Sequence, residues 1–541
     1  MNLIRLVERA VSRALGPDGT GGYTIASVRA PMRDGVELAG RLYTPTGSVR
    51  GTLLVRCPYG RGIPFSILYA ALYAARGYQV LLQSVRGTFG SGGTFTPMIH
   101  EVADGADTVA WMRNQPWFTG TFATLGLSYL GFTQWALLTD PPPELRACII
   151  AVGPHDFYQS TWGTGSFTLN DFLGWSDMMA HQQDPVRAIS GMRQQFLAPG
   201  LVTRAADRVP LGAAGRALLG DGAPWYESWL AHPDADDPFW APMRLGTALD
   251  EVNVPVLLFS GWQDLFLDQT VAQYQRLRDR GVPTALTIGS WTHGQVATRA
   301  AGRLLRESLS WLDCYLSEGG PAPTRAPVRA EINGRGWTDL PDWPPATTGL
   351  GLFLHPGHRL AADPPEGSCA PTVFTFDPTD PTPTIGGRLL SGDGGYKDDT
   401  ALSRRADVAE FLSEPMPQDV VVLGNPVVEL MHSCSNRFRD IFVRLCEVDP
   451  AGRSRNVSDA FSRLSNDPQS PQLLRLELDA LGHRFGAGSR IQVLVAGGCH
   501  PRFARNLGSD GQPVSGTTML PARHEVHHGP HTKLVLPVYA V

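Results

Sequence analysis

Lysine is almost absent from this sequence: of 46 basic residues only Lys397 and Lys533 are lysines, a bias of a GC-rich coding sequence more than of function. Charge of either sign is sparse, at 18% of residues, and the formal net charge is −5. No stretch is dominated by Lys or Arg, which excludes the basic groove that nucleic acid or an anionic membrane surface would demand and leaves neutral or modestly polar partners. Cysteine is scarce as well. The seven cysteines are scattered without a CxxC pair, and an odd number in a long chain argues against a disulfide framework, a zinc site and an oxidising compartment. Long apolar runs are missing too: Met1 to Leu15 is broken by Arg5, Glu8, Arg9 and Arg13, so it is neither a signal peptide nor a membrane span, and a cytoplasmic location is expected.

What is present is a globular composition. Hydrophobic residues make up 43% of the 541, and the length is several times the ~150 residues of a typical domain, so two or three domains are expected. From Val36 to about Tyr315, apolar runs alternate with helical patterns, as in an α/β domain with a mostly parallel sheet. The runs Thr52 to Arg56, Gln79 to Gln83, Ala123 to Leu127, Ala147 to Val152, Val254 to Ser260 and Thr284 to Gly289 read as strands. Val271, Tyr274 and Leu277 read as a helix between Asp268, as N-cap, and Gly281, and Leu305, Leu309, Leu312 and Leu316 read as another. Between His155 and Leu249 the strand pattern stops and aromatics crowd in, with a helical stretch around Val186 to Phe196, as in a helical cap laid over the carboxyl ends of the strands. After Gly319, Pro/Gly-rich turns and period-two alternation predict a β-sandwich. The expected division is 1–154 and 250–319 for the core, 155–249 for the cap and 320–541 for the sandwich.

Chemistry enters at Gly126-Leu127-Ser128-Tyr129-Leu130-Gly131, which links a strand to a helix. A serine on such a turn projects its hydroxyl above the sheet beside a helix N-terminus, which makes Ser128 the nucleophile candidate. The motif departs from G-x-S-x-G, so either Leu130 points away or the turn is wider. Two later strands lead into Gly261-Trp262-Gln263-Asp264 and Ser290-Trp291-Thr292-His293, which puts Asp264 and His293 where open α/β sheets hold their chemistry. The order Ser, Asp, His is that of an α/β-hydrolase. Asp264 has rivals in Asp268 and Asp250. One oxyanion donor is the Tyr129 amide; the other lies in Cys57-Pro58-Tyr59-Gly60, as the Gly60 amide or the Tyr59 hydroxyl. No metal or organic cofactor is required, and the C-terminal histidines His524, His527, His528 and His531 read as strand-edge or turn residues.

Taken together, CPYGRG, RGTFGSGG, EVADGADTVAWMRNQPW, GLSYLGFTQW, SGWQDLF and GSWTHG resemble the cocaine-esterase and X-Pro dipeptidyl-peptidase family of serine hydrolases, the CocE/NonD group. VLGNPVVEL, DIFVRLCEVDPAGRSRNVSDAF and RIQVLVAGGCHPRFARN resemble that family's C-terminal jelly-roll domain. The resemblance implies an α/β-hydrolase core with an inserted helical cap, Ser128, Asp264 and His293 as triad, and the Tyr59 hydroxyl with the Tyr129 amide as oxyanion hole. It further implies an acyl pocket lined by Trp162, Trp175 and Phe266. Ser84 stands where relatives often carry Asp, so a carboxylate partner for Arg86 is expected to be missing. An ammonium-bearing substrate would need an anion, and Asp171, Asp177 and Glu227 of the cap are equal candidates.

The function expected is hydrolysis of small carboxylic esters, and also amides, through an acyl-enzyme. X-Pro dipeptidyl-peptidase or α-amino-acid ester hydrolase and acylase activity is the alternative, and a non-catalytic binding protein with a vestigial triad is the alternative of another class. Neither nucleic acid nor membrane is expected as partner, and the sequence is silent on oligomeric state.

Overall fold

The computed structural model describes residues 21–184, 200–317, 319–390, 392–466 and 470–540. Met1 to Leu15 and the helical stretch expected around Val186 to Phe196 lie outside them. Two sheets organise the chain. The first has ten strands in the order β1-β2-β4-β3-β5-β6-β7-β8-β9-β10. These are β1 Tyr23–Pro31, β2 Glu37–Pro45, β3 Gly51–Cys57, β4 Tyr78–Ser84, β5 Phe122–Leu127, β6 Leu145–Ala151, β7 Val256–Gln263, β8 Thr284–Thr292, β9 Val328–Ile332 and β10 Gly336–Leu340. From β4 through β9 every neighbouring pair is parallel.

The central strands are apolar without interruption because both faces are covered. Every residue of β3, β4, β5 and β7 is buried, as parallel strands flanked by helices require. Leu54 faces one core while Leu53 and Val55 face the other. The longer helices are α1 Glu101–Arg113, α2 Tyr129–Leu137, α3 Phe157–Trp162, α4 Leu169–His181, α5 Gly200–Ala206, α6 Leu211–Leu219, α7 Trp225–Ala231, α8 Leu267–Asp279 and α9 Ala301–Tyr315. Helices α3 to α7 all fall between β6 and β7, where the cap was expected, and their aromatic rings pack on one another: Phe157 meets Trp229 at 4.8 Å and Phe172 at 5.1 Å.

The sheet differs from the sequence expectation in three places. It begins at Tyr23, ahead of Val36, with an antiparallel hairpin. Strands β7 and β8 run on through Gln263 and Thr292, so Trp262 and Trp291 are strand residues; the fully buried Trp262 donates its indole N–H to the Glu331 carbonyl at 2.7 Å and thereby belongs to the sheet's packing. The hairpin β9–β10 follows residue 320 yet extends the first sheet, with Val328 opposite Leu286 on β8. Its half-buried alternation is what an edge hairpin and a sandwich strand have in common, which is why the pattern alone could not assign it.

The second sheet system, thirteen strands from Thr348 to Val538, is a β-sandwich closed over its own core of Phe411, Val443, Val493 and neighbours. Its pairings are antiparallel except for Arg359–Ala361 against Val408–Ser413. The strands predicted around Ile441, Leu474 and Ile491 are present as Arg439–Val448, Gln472–Glu477 and Arg490–Ala496. Among the described residues no helix is long and apolar enough to cross a membrane.

Candidate active site

Ser128 follows the last residue of β5 and serves as N-cap of α2 with φ 61° and ψ −122°, a left-handed conformation that costs a non-glycine residue ~1–3 kcal/mol. Its hydroxyl is not spent on capping the helix. The wider glycine spacing has a direct explanation: a Cβ on Gly126 would sit 2.3 Å from the Leu130 Cβ, and one on Gly131 would sit 2.6 Å from the Gly153 Cα. Leu130 therefore lies back over Gly126, buried, while Gly131 lets α2 touch the chain leaving β6. The small residues the turn needs are Gly126, Gly131 and Gly153.

Asp264 follows β7 and is wholly buried. It accepts the His293 Nδ1 proton at 2.7 Å and the Ser260 hydroxyl at 3.0 Å. That bond fixes the proton on Nδ1 and frees Nε2 for proton transfer. His293 opens a short helix, His293–Val296, after β8, where Thr292 and Gln295 form a capping box. The Phe266 ring meets its imidazole edge-on at 5.4 Å. The rivals of Asp264 are engaged elsewhere: Asp250 pairs with Arg276, and Asp268 pairs with Arg388. Asp268 is also not the cap of α8, for Phe266 holds that position and Asp268 lies in the first turn.

Tyr59 lies in the loop after β3. Its hydroxyl accepts the Trp175 indole N–H at 3.2 Å, and the Ser128 side chain lies beside it. Burial pushes its phenol far above the ordinary range, so it stays protonated as a donor. The Tyr129 side chain points away from this role: its hydroxyl donates to Glu101 at 2.8 Å and accepts the Met98 N–H at 3.0 Å. As first residue of α2, Tyr129 presents a backbone N–H that the helix leaves without a partner. The Trp175 ring stacks on the Tyr129 ring at 6.2 Å and 8°, so one cap residue touches both. Trp162 sits deeper in the cap, its indole donating to the Trp229 carbonyl at 2.9 Å and its ring 5.3 Å from Phe167.

Two residues behave differently from expectation. Arg86 does not lack carboxylates, because Asp104 grips it at 3.0 and 2.6 Å and Asp34 at 2.7 Å, while Ser84 takes a bond from Arg61. Of the three acidic cap residues, Glu227 pairs with Arg216 and Asp177 with His181, which leaves Asp171 distinct. Asp171 is fully buried; its Oδ1 accepts from the Leu390 and Asn170 N–H groups, both at 2.9 Å, and its Oδ2 has no partner among the described residues. Burial raises its carboxyl to about 6, opposed by those bonds and by the charges of Arg502 and His293. It stands one helical turn before Trp175 and so shares the face that reaches Tyr59. Nothing in the sequence separates it from its neighbours.

The profile of the X-Pro dipeptidyl-peptidase (S15) family matches residues 34–295, and that of the X-Pro dipeptidyl-peptidase C-terminal non-catalytic domain matches 322–536. The cocaine esterase of Rhodococcus sp. (strain MB1 Bresler) is 29% identical over 96% of this chain and 99% of its own. Among solved structures, an aminopeptidase from a marine sediment Thaumarchaeota archaeon superposes with TM-score 0.82 at 22% identity, covering 97% of each chain. An α-amino acid ester hydrolase superposes with TM-score 0.81 at 22% identity, covering 97% of this chain and 98% of that one.

Proposed function

The chain belongs to the X-Pro dipeptidyl-peptidase (S15) family of serine hydrolases, and we propose that within it this protein is an esterase acting on small carboxylic esters, and on amides, through a Ser128 acyl-enzyme. The observation that carries the reading is the buried 2.7 Å bond from His293 Nδ1 to Asp264, at the ends of adjacent strands, with the strained Ser128 on the same edge of the sheet. His293 takes the Ser128 proton as the hydroxyl attacks the acyl carbon and returns it to the leaving alcohol; a water then repeats the cycle on the acyl-enzyme. Asp264 holds the imidazole tautomer and stabilises the imidazolium. The Tyr59 hydroxyl and Tyr129 amide receive the developing oxyanion. Trp175 and Phe266 form aromatic walls suited to an apolar or aryl acyl group, with Trp162 behind them.

The same reading takes the chain as a core, a helical cap between β6 and β7, and a C-terminal sandwich. It places the protein in the cytoplasm, consistent with seven unpaired cysteines, five of them buried.

A second reading, an aminopeptidase or α-amino-acid ester hydrolase, draws on Asp171, whose unpartnered buried oxygen could receive a substrate ammonium. Assay of aryl esters, amino-acid esters and an X-Pro anilide separates the two. Ser128→Ala should keep the fold and lose turnover by ~10⁶. Undiminished activity in that variant would remove Ser128 as the nucleophile, and failure of a fluorophosphonate probe to label the wild-type serine would leave a binding protein with a vestigial triad.

A further inference from the structure

Asp264 is bracketed by the C-terminal sandwich. One residue before it, Gln263 donates its side-chain amide to the Val457 carbonyl at 3.1 Å, in the strand Ser454–Leu464. After it, Asp268 receives a two-pronged grip from Arg388, whose Nη1 and Nη2 donate to Oδ1 and Oδ2 at 2.9 and 2.8 Å. The same guanidinium also holds Asp479. Arg388 stands in the glycine-rich stretch between the strands Thr372–Phe376 and Val408–Ser413, and this stretch also reaches the base: a Cβ on Gly395 would lie 2.9 Å from Thr292 Cγ2, beside His293.

The pair is asymmetric. The Arg388 side chain is only 7% exposed, whereas that of Asp268 is 57% exposed, so a buried cation reaches forward to an accessible carboxylate on the first turn of α8. That turn is continuous with the acid loop, since the Leu267 N–H bonds the Asp264 carbonyl at 3.2 Å. The charges that face Arg388 are Asp264 from the loop after β7, Asp268 from α8, and Asp479 from the turn after Gln472–Glu477, with Arg502 and Asp459 behind them. An ion pair with one partner exposed adds little stability. What a planar fork on a carboxylate does fix is direction.

We propose that Arg388 is a positioning residue for Asp264, through which the C-terminal domain, non-catalytic by its family description, holds the acid loop in register with His293. This rests on Asp264 being the acid of the triad.

The test compares wild type, Arg388→Met, Arg388→Lys and Asp268→Asn as full-length proteins on one aryl ester. Displacement of the acid loop by about 1 Å should lower kcat by ~10²-fold in Arg388→Met with KM little changed, and Arg388→Lys should recover part of the loss. The acid limb of the kcat/KM profile supplies a readout that loose packing would not move. Withdrawing Asp264 from His293 removes the carboxylate that stabilises the imidazolium, so the limb should move to lower pH in Arg388→Met, whereas mere loss of a nearby cation would move it to higher pH. If Arg388→Met does not fold by circular dichroism, Asp268→Asn, which leaves Arg388 paired with Asp479, and Arg388→Lys decide the matter. Rates within about twofold of wild type in the folded variants, or a limb that moves to higher pH in Arg388→Met, overturn the proposal. Full activity in Ser128→Ala would instead overturn the triad itself.

Discussion

Trp175, on cap helix α4, donates its indole N–H to the Tyr59 hydroxyl at 3.2 Å, so the insertion between β6 and β7 holds the very group that meets Ser128. On the proposed mechanism the cap is thus a part of the catalytic geometry as well as a cover.

Two substitutions separate these roles. Tyr59→Phe keeps the ring, which stacks on Phe65 at 5.6 Å, and removes only the donor, so kcat should fall by ~10²–10³ while the fold persists. Trp175→Phe keeps a ring against Tyr129 but leaves the Tyr59 hydroxyl free to turn; the loss of one neutral hydrogen bond predicts about a tenfold fall. Steady-state kinetics on an aryl ester checks both. An equal, small loss in the two variants would mean that Tyr59 is a packing residue.

Much of the sheet was legible because apolar runs report burial, and the proposed catalytic groups follow its strands in order. Leu53 to Val55 or Leu257 to Phe259 announces a strand covered on both faces, and the loops that follow such strands carry Ser128, Asp264 and His293. The elbow was readable only in part: that Leu130 lies back over Gly126 and that Gly131 meets Gly153 depends on backbone approach, which spacing alone does not encode. Arg388 and Asp171 were illegible for a different reason. Arg388 meets Asp268 across a separation of 120 residues and Asp171 meets Leu390 across 219, and no local pattern distinguishes a buried Asp or Arg from one on a solvated face.

Asp171 makes a prediction about stability. Its carboxyl is raised from 3.8 to about 6 by burial, so it contributes stability that is fully present below the unfolded value and is lost as pH rises through about 6. Above that pH the native state must hold a buried carboxylate with one oxygen unpartnered. Asp171→Asn removes that cost while its carbonyl oxygen still accepts the Leu390 N–H. The variant should melt higher than wild type at pH 8, by the equivalent of ~2–3 kcal/mol, and the advantage should vanish near pH 4. A constant difference in Tm at all pH values would contradict the assignment. If the ammonium reading holds, the same variant loses activity on amino-acid esters while keeping it on aryl esters.

Acid should loosen the sandwich through a histidine pair. His432 lies in the strand Val427–Cys434 and His524 in Ala522–His527, where antiparallel pairing sets His432 opposite Val526 and His524 opposite Cys434. The two imidazoles share a hydrogen bond of 3.1 Å between His432 Nε2 and His524 Nδ1, and the His524 ring lies flat on Phe374 at 4.8 Å. Burial, with Arg439 alongside, pushes His432 down to about 3 and His524 well below 6.5; His527 adds to the repulsion on His432 and Glu525 opposes it. The sign follows directly. An unfolded chain takes protons on both imidazoles as pH falls below ~6.5, whereas the native pair refuses them until far lower, so stability is full above that point and drains away toward pH 3. Each histidine contributes a slope of at most ~1.4 kcal/mol per pH unit. Replacing both in a His432→Leu/His524→Leu variant should flatten the fall in Tm between pH 7.5 and 5 by thermal melting, whatever it does to Tm at neutral pH. Parallel curves for wild type and variant would place the acid sensitivity elsewhere, and an unchanged kcat at pH 7.5 would keep this pair apart from the chemistry at Ser128.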